Sequence, residues 1–191
     1  MPEKVRVSDS SPLRLLHPMH TVLVSSIGRR GKPNIITLAW AMPTSINPSL
    51  LAISVSPRRY SYSLIEKTKE FVVNIPTMDI LKETYFCGVV SGRKRDKFKE
   101  TGLTALPARK VRPPIIKECV AHLECKLHSQ FQTGDHTIFI GEVIEAYANK
   151  GAFTKKYNIK KAKMIMHLGG NEFATLEPKV SKPKRRQDAH A

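Results

Sequence analysis

Short alternating runs of apolar and polar residues, bounded by turn formers, dominate the chain from residue 20 onward and predict strands more often than helices. Residues 20–27 (HTVLVSSI) are rich in β-branched side chains and lead into Gly28-Arg29-Arg30-Gly31-Lys32-Pro33, which reads as a hairpin turn to a second strand at residues 34–40. Further strands are expected at residues 50–56, 70–75, 119–128, 137–147 and 164–168. The clearest alternation puts Cys119, Ala121, Leu123, Cys125 and Leu127 on one face, with Val120, His122, Glu124, Lys126 and His128 on the other. That pattern predicts one core face and one wet face. Gly134-Asp135-His136 then turns the chain back into the next strand. Helical signals are short: residues 61–69 with Ser61 as N-cap, residues 78–86 with Leu81 and Tyr85 at i,i+4, and one turn at residues 96–100. The order predicts a mainly β fold, a closed Greek-key type β-barrel with a few short peripheral helices. A doubly wound parallel sheet is excluded because long helices do not alternate with the strands and no Gly-x-Gly-x-x-Gly follows one.

Composition limits the domain count. A chain of 191 residues, 41% hydrophobic and 25% charged, suits one domain, expected at residues 13–178 between an N-terminal arm (residues 1–12) and a basic disordered tail (residues 179–191). The longest stretch free of charge, Pro33 to Pro57, is interrupted by Asn34, Pro43, Asn47 and Pro48 and cannot span a membrane as a helix. The first residues lack the apolar run of a signal peptide, so a cytoplasmic protein is expected. Cys87, Cys119 and Cys125 are too few and too irregular for a disulfide framework. The pairs His17/His20 and His122/His128 lack companions at ligand spacing, so no metal site is expected.

Charge changes the picture more. The net charge is +16, concentrated in residues 93–117, which carry nine Lys or Arg against Asp96 and Glu100. Residues 150–163 carry six Lys and no acid, and the tail adds Lys179, Lys182, Lys184, Arg185 and Arg186. Such an excess attracts nucleic acid, phosphate surfaces or small anions alike. A nucleic-acid-binding barrel would use paired aromatic platforms on its strands, and with 7% aromatic residues none is evident, so specific nucleic-acid binding is not expected.

Candidate chemistry gathers around the stretch LLAISVSPRRYSYSLI. Alternation sets Ala52, Ser54 and Ser56 on one face of its strand, opposite Leu51, Ile53 and Val55, leaving one side small enough for a flat ligand. Small residues of this kind also simply fit the taper of a barrel. Arg58, Arg59, Tyr60 and Ser61 follow at the mouth of a helix, where free amides, guanidinium groups and hydroxyls can cradle a phosphate. Trp40 is either core or a wall of the slot. Cys87, at a helix end with no basic neighbour in sequence, reads as structural.

The blocks GKPNIITLAW, PTSINPSLLAISVSPRRYSYSLI, EFVVNIP, CGVVSGRKRDKF and LECKLHSQFQTGDHTIFIGEV, in this order, resemble the flavin reductase-like family of FMN-binding split β-barrels, the flavoredoxin type. The resemblance implies an FMN-binding homodimer with the flavin near the subunit interface. It implies that Ala39, Trp40, Ala41, Met42, Pro43, Thr44 and Ser45 touch the isoalloxazine largely through backbone, continued by Ser54, Val55 and Ser56. It further implies that Arg58, Tyr60 and Ser61 hold the phosphate, that Ser91, Gly92, Lys97 and Phe98 close over the cofactor, and that His136 approaches the flavin or a reductant. Ser61 stands where a threonine is common in the family, which keeps the hydroxyl. The expected activity is an NAD(P)H-dependent flavin oxidoreductase, passing hydride from NADH or NADPH to the flavin and electrons on to a flavin, ferric chelate, quinone or oxygen. No dedicated acid or base is needed, because positioning and stabilisation of developing charge suffice. The alternatives are the nucleic-acid-binding barrel and a non-enzymatic flavin carrier.

Overall fold

The structure is a computed structural model describing residues 2–7 and 12–183. In chain order its strands are β1 (Met19–His20), β2 (Val22–Ile27), β3 (Pro33–Leu38), β4 (Ala41–Ser45), β5 (Leu50–Val55), β6 (Glu70–Ile75), β7 (Ala105–Leu106), β8 (Ile115–Ile116), β9 (Ala121–Thr133), β10 (His136–Ala148), β11 (Met166–Gly169) and β12 (Glu172–Ala174). The helices are α1 (Tyr60–Thr68), α2 (Leu81–Val89) and α3 (Lys97–Thr101). Seven strands form one antiparallel sheet in the order β3-β2-β6-β9-β10-β5-β4, strongly curved around a core that includes Val24, Ile53, Phe71, Val73 and Phe139. The ladder does not close: β3 and β4 are its edges, and β3 meets β5 without pairing. The fold is thus a mainly β split barrel with a few peripheral helices, as the sequence and its family resemblance predict, with its seam between β3 and β5.

A second cluster, Leu23, Ile35, Cys87, Phe98, Leu103, Ile116 and Cys119, fills the space between the outer face of β2 and β3 and the helical segment α2–α3. These strands are therefore buried on both sides, which is why residues 22–26 of β2 are all buried. The α1 helix begins at Tyr60 with Arg59 as its N-cap rather than Ser61, and no side chain caps it. Asp96 caps α3 by accepting from Lys99 N at 3.2 Å. The predicted first strand divides into β1, paired with β11, and β2, in the main sheet. The edge strand β4 occupies a segment that reads as a loop, because Pro43 and a polar sequence weaken the strand pattern. Residues 179–183 carry no regular structure and are exposed, whereas Lys184, Arg185 and Arg186 lie outside the described residues.

The expected wet face of β9 is mostly buried at its first half: His122 is 4% exposed and Glu124 fully buried. The segment between β7 and β8 roofs this face, and the polar residues serve its backbone. Asn74 Oδ1 accepts from Ile116 N at 3.0 Å, and the Glu124 carboxylate accepts from Arg109 N at 2.8 Å, Lys110 N at 2.6 Å and Tyr147 Oη at 2.8 Å. Burial pushes the Glu124 carboxyl up, but these donors together outweigh it and hold it below the usual carboxylate range. Replacing Glu124 with alanine would strand two backbone amides and a phenol, at a cost of about 3 kcal/mol or more. Urea denaturation of Glu124→Ala should show a midpoint lowered accordingly, with the far-UV spectrum of the folded state unchanged.

Candidate functional site

The seam of the barrel opens into a slot of about 430 Å³. One wall is the end of β3 and the corner beyond it, Ile36 to Trp40; the other is Ser54, Val55 and Ser56 at the end of β5. Ser54 and Ser56 bring small side chains to the slot at the end of β5. Ser54 N donates to Trp40 O at 3.0 Å and fixes the corner where β3 passes into β4. Trp40 is 39% exposed and packs at 4.9 Å, ring to ring, against His136, whose Nδ1 lies 2.8 Å from Asp135 Oδ1. His136 thus reaches the slot from the tip of the β9–β10 hairpin.

A recess of about 90 Å³ continues the slot past Arg59 and Gly88. It is a concentration of donors. Ser61 is 2% exposed and its Oγ accepts from Asn34 Nδ2 at 2.8 Å, so its own proton is free to point elsewhere. The Lys97 ammonium has three protons and gives two, to Ile35 O at 2.7 Å and Cys87 O at 2.6 Å. Burial pulls its pKa down to about 8, helped by the nearby charge of Arg59 and opposed by Cys87. The start of α1 adds amides at the positive end of a nine-residue helix. Arg58, Tyr60, Ser91 and Gly92 complete the lining, with the Arg93 guanidinium over the Tyr60 ring at 5.5 Å and donating to Arg58 O at 3.1 Å.

Among the residues singled out from the sequence, Ala39, Trp40, Ser54, Val55, Ser56 and His136 line the slot, and Arg58, Tyr60, Ser61, Ser91, Gly92 and Lys97 line the recess. Ala41, Met42, Pro43, Thr44 and Ser45 run along the edge strand β4, with Met42 60% exposed. Phe98 is packed in the second core beside Cys87 and Leu103 rather than at either cavity. The basic neighbour that the sequence did not show for Cys87 is Lys97; burial nevertheless dominates and pushes the thiol up to about 11.

Arg59 belongs to the cradle that the sequence predicts, whereas other lining residues carried no usable sequence signal. Arg59 borders the slot, the recess and an adjoining compartment of about 280 Å³. Asn34 reads as a turn residue at the start of a strand. Arg14, His17 and His167 reach the slot from the 3₁₀ turn at Pro12–Leu16 and from β11, joined by His17 Nδ1 to His167 O at 2.9 Å. That contact spans 150 residues, beyond the range of any local pattern.

A flat slot walled by strand ends, continuous with a small cation-rich recess at a helix start, fits a planar ring joined through a short polar chain to a terminal phosphate. That is the shape and charge of FMN. At the recess Gly92 has no room for a side chain, since a Cβ there would collide with Asn34 Oδ1 and press on the Tyr60 ring. Gly92→Ala should therefore displace Asn34 from Ser61 and weaken FMN binding about tenfold, while leaving the midpoint of urea unfolding little changed. Fluorescence-quenching titration of the variant measures it.

Fold and site together define the class of flavin-binding oxidoreductases built on a split barrel. The sequence matches the flavin reductase like domain over residues 14–167, and the chain belongs to that family. It is 38% identical over 164 residues, 85% of this chain and 91% of the other, to an uncharacterized protein of Archaeoglobus fulgidus. The crystal structure of flavoredoxin from Methanosarcina acetivorans superposes with a TM-score of 0.84 at 26% identity, covering 98% of this chain and 99% of that one. A 33-residue stretch, 17% of this chain and 18% of the other, is 61% identical to an NADH-dependent FAD reductase of Streptomyces globisporus. Among the described residues no helix is long and apolar enough to cross a membrane.

Proposed function

We propose that the protein binds FMN in the seam and uses NADH or NADPH to reduce it, passing electrons to a flavin, ferric chelate, quinone or oxygen. The observation that carries this reading is the continuity of the slot with the donor-lined recess, the two sharing Ile36, Arg59 and Gly88. Bound FMN would supply the hydride-accepting and electron-donating chemistry. The chain supplies positioning. Lys97, Ser61, Arg58, Arg59 and the start of α1 hold the phosphate, and the backbone of residues 36–40 and 54–56 grips the ring edge. Trp40 and His136, packed on each other with their rings tilted by 47°, bound the open side where a second ring must approach. The relation to an NADH-dependent FAD reductase and to flavoredoxin supports a flavin as cofactor and NADH as reductant.

The same reading includes a homodimer. Leu13, Leu16, Met19 and Trp40 line a shallow apolar depression beside the slot, and Met42 and Ile46 stand exposed along the β4 edge. Apolar surface next to an unpaired strand calls for a partner, and a second copy would cover both. The test is the absorption spectrum of the purified protein, then anaerobic addition of NADH or NADPH. Bleaching of a bound flavin, with light scattering at twice the chain mass, is expected. A protein that takes up no FMN at micromolar concentration overturns the reading, and one that binds it without bleaching by either nucleotide leaves only a carrier.

A further inference from the structure

We propose that the far end of the β9–β10 ribbon carries a second ligand site, one that takes the base of an adenine nucleotide between aromatic side chains and its phosphates among lysines. A cavity of about 290 Å³ lies there, walled by His122, Tyr147, Phe153 and Tyr157 over the small residues Ala121 and Ala146. It shares no residue with the seam. Ala121 pairs with Ala148 at this end of the ribbon, and Thr133 with His136 at the other. Ten residues of strand lie between Tyr147 and His136, so roughly 35 Å of extended chain separates the two sites along the ribbon.

Three independent features specify the ligand. The first is flatness. The Phe153 and Tyr157 rings meet edge to face at 4.9 Å, the His122 and Tyr147 rings lie 5.3 Å apart, and Phe153 is 43% exposed although it is a large aromatic on a loop. Such walls favour a planar π system.

The second feature is an unpartnered acceptor on the cavity wall. Asn74 Nδ2 donates to Leu23 O, Val72 O and Ser25 Oγ, and its Oδ1 accepts from Ile116 N. That fixed amide orientation means the 2.8 Å contact from His122 Nδ1 to Asn74 Oδ1 must be a donation by the histidine. Burial, against the pull of Glu124, takes the His122 pKa down to about 4, so the ring is neutral and Nε2 holds a lone pair. His122 is 4% exposed, and Nε2 has no hydrogen-bond partner among the described residues. An exocyclic amino group, such as adenine carries, supplies the missing donor.

The third feature is charge. Lys150, Lys155, Lys156, Lys160, Lys161 and Lys163 all lie exposed on the loop that bears Phe153 and Tyr157, with no acid within it. None of the six forms an ion pair among the described residues. A phosphate chain leaving the aromatic walls would meet this field.

Calorimetric titration of the full chain, loaded with FMN, tests the site with ATP, AMP, UMP and inorganic tripolyphosphate as probes. ATP and AMP should each bind once per chain without releasing FMN, and UMP should bind about tenfold more weakly than AMP. Phe153→Ala should weaken ATP and AMP about tenfold or more, as loss of one stacking partner does, with tripolyphosphate affinity and FMN content unchanged. Lys155→Gln with Lys156→Gln should weaken ATP more than AMP. No saturable binding at millimolar nucleotide overturns the proposal. So does tripolyphosphate binding as tightly as ATP, indifference of ATP to Phe153→Ala, or displacement of FMN by AMP. The readout does not depend on flavin reduction, so failure of the proposed activity would leave this result legible by itself.

Discussion

Replacing Arg59 with alanine should weaken FMN binding about 10- to 100-fold and leave riboflavin binding nearly unchanged, the difference expected when a charged hydrogen-bond donor to phosphate is lost. Arg59 is the N-cap of α1, so its backbone is set by the turn from Ser56, whose carbonyl accepts from Arg59 N at 2.9 Å. Alanine can keep that backbone. The guanidinium has no acidic partner among the described residues and borders the slot, the recess and the compartment beside them. Arg58 borders only the recess, so Arg58→Ala should have the smaller effect. Titration of both flavins into the apoprotein, followed by fluorescence quenching, separates the two arginines. Equal loss of FMN and riboflavin in Arg59→Ala would remove this residue from the phosphate and place it against the ring.

The choice between the adjacent arginines shows where sequence reading ends. The motif locates a cradle at the mouth of a helix, because small strand residues, two guanidinium groups and a hydroxyl are local properties. Which arginine faces inward depends on where the helix starts, and its N-cap is Arg59, two residues before the Ser61 expected from the sequence. The β9 pattern fails for a different reason. Alternation correctly sets His122 and Glu124 on the face opposite Cys125, but burial of that face is decided by the distant roof of residues 105–116. Polar side chains there satisfy backbone donors of the roof, so a buried face looks wet in the sequence. Lys97 is the same case at the site. It lies in a run of charges that reads as solvated surface, yet its amine is drawn between carbonyls of β3 and α2 that are 62 and 10 residues away.

That placement gives Lys97 a testable pH signature. With its pKa near 8 in the protein without ligand, the amine is mostly charged at neutral pH and loses that charge above this value. A bound phosphate, whose second pKa is about 6, is mostly dianionic above neutral pH, favours the charged lysine and raises its pKa in the complex. Between the free and bound values FMN affinity should therefore fall with rising pH, by up to about tenfold per unit. Riboflavin, lacking the phosphate, should show no such slope. Stability of the apoprotein moves the other way. Because the folded-state pKa lies below the ordinary lysine value, the unfolded chain binds more protons above about pH 8, and Lys97 makes the fold more stable as pH rises. The raised thiol values of the three buried cysteines act with the opposite sign as they begin to titrate in the unfolded chain, so the comparison is best made against Lys97→Met between about pH 7 and 9. In that variant FMN affinity should be lower at pH 7 and flat with pH. A wild-type protein whose FMN affinity is equally flat would show that Lys97 holds the two backbone carbonyls together and makes no contact with the phosphate.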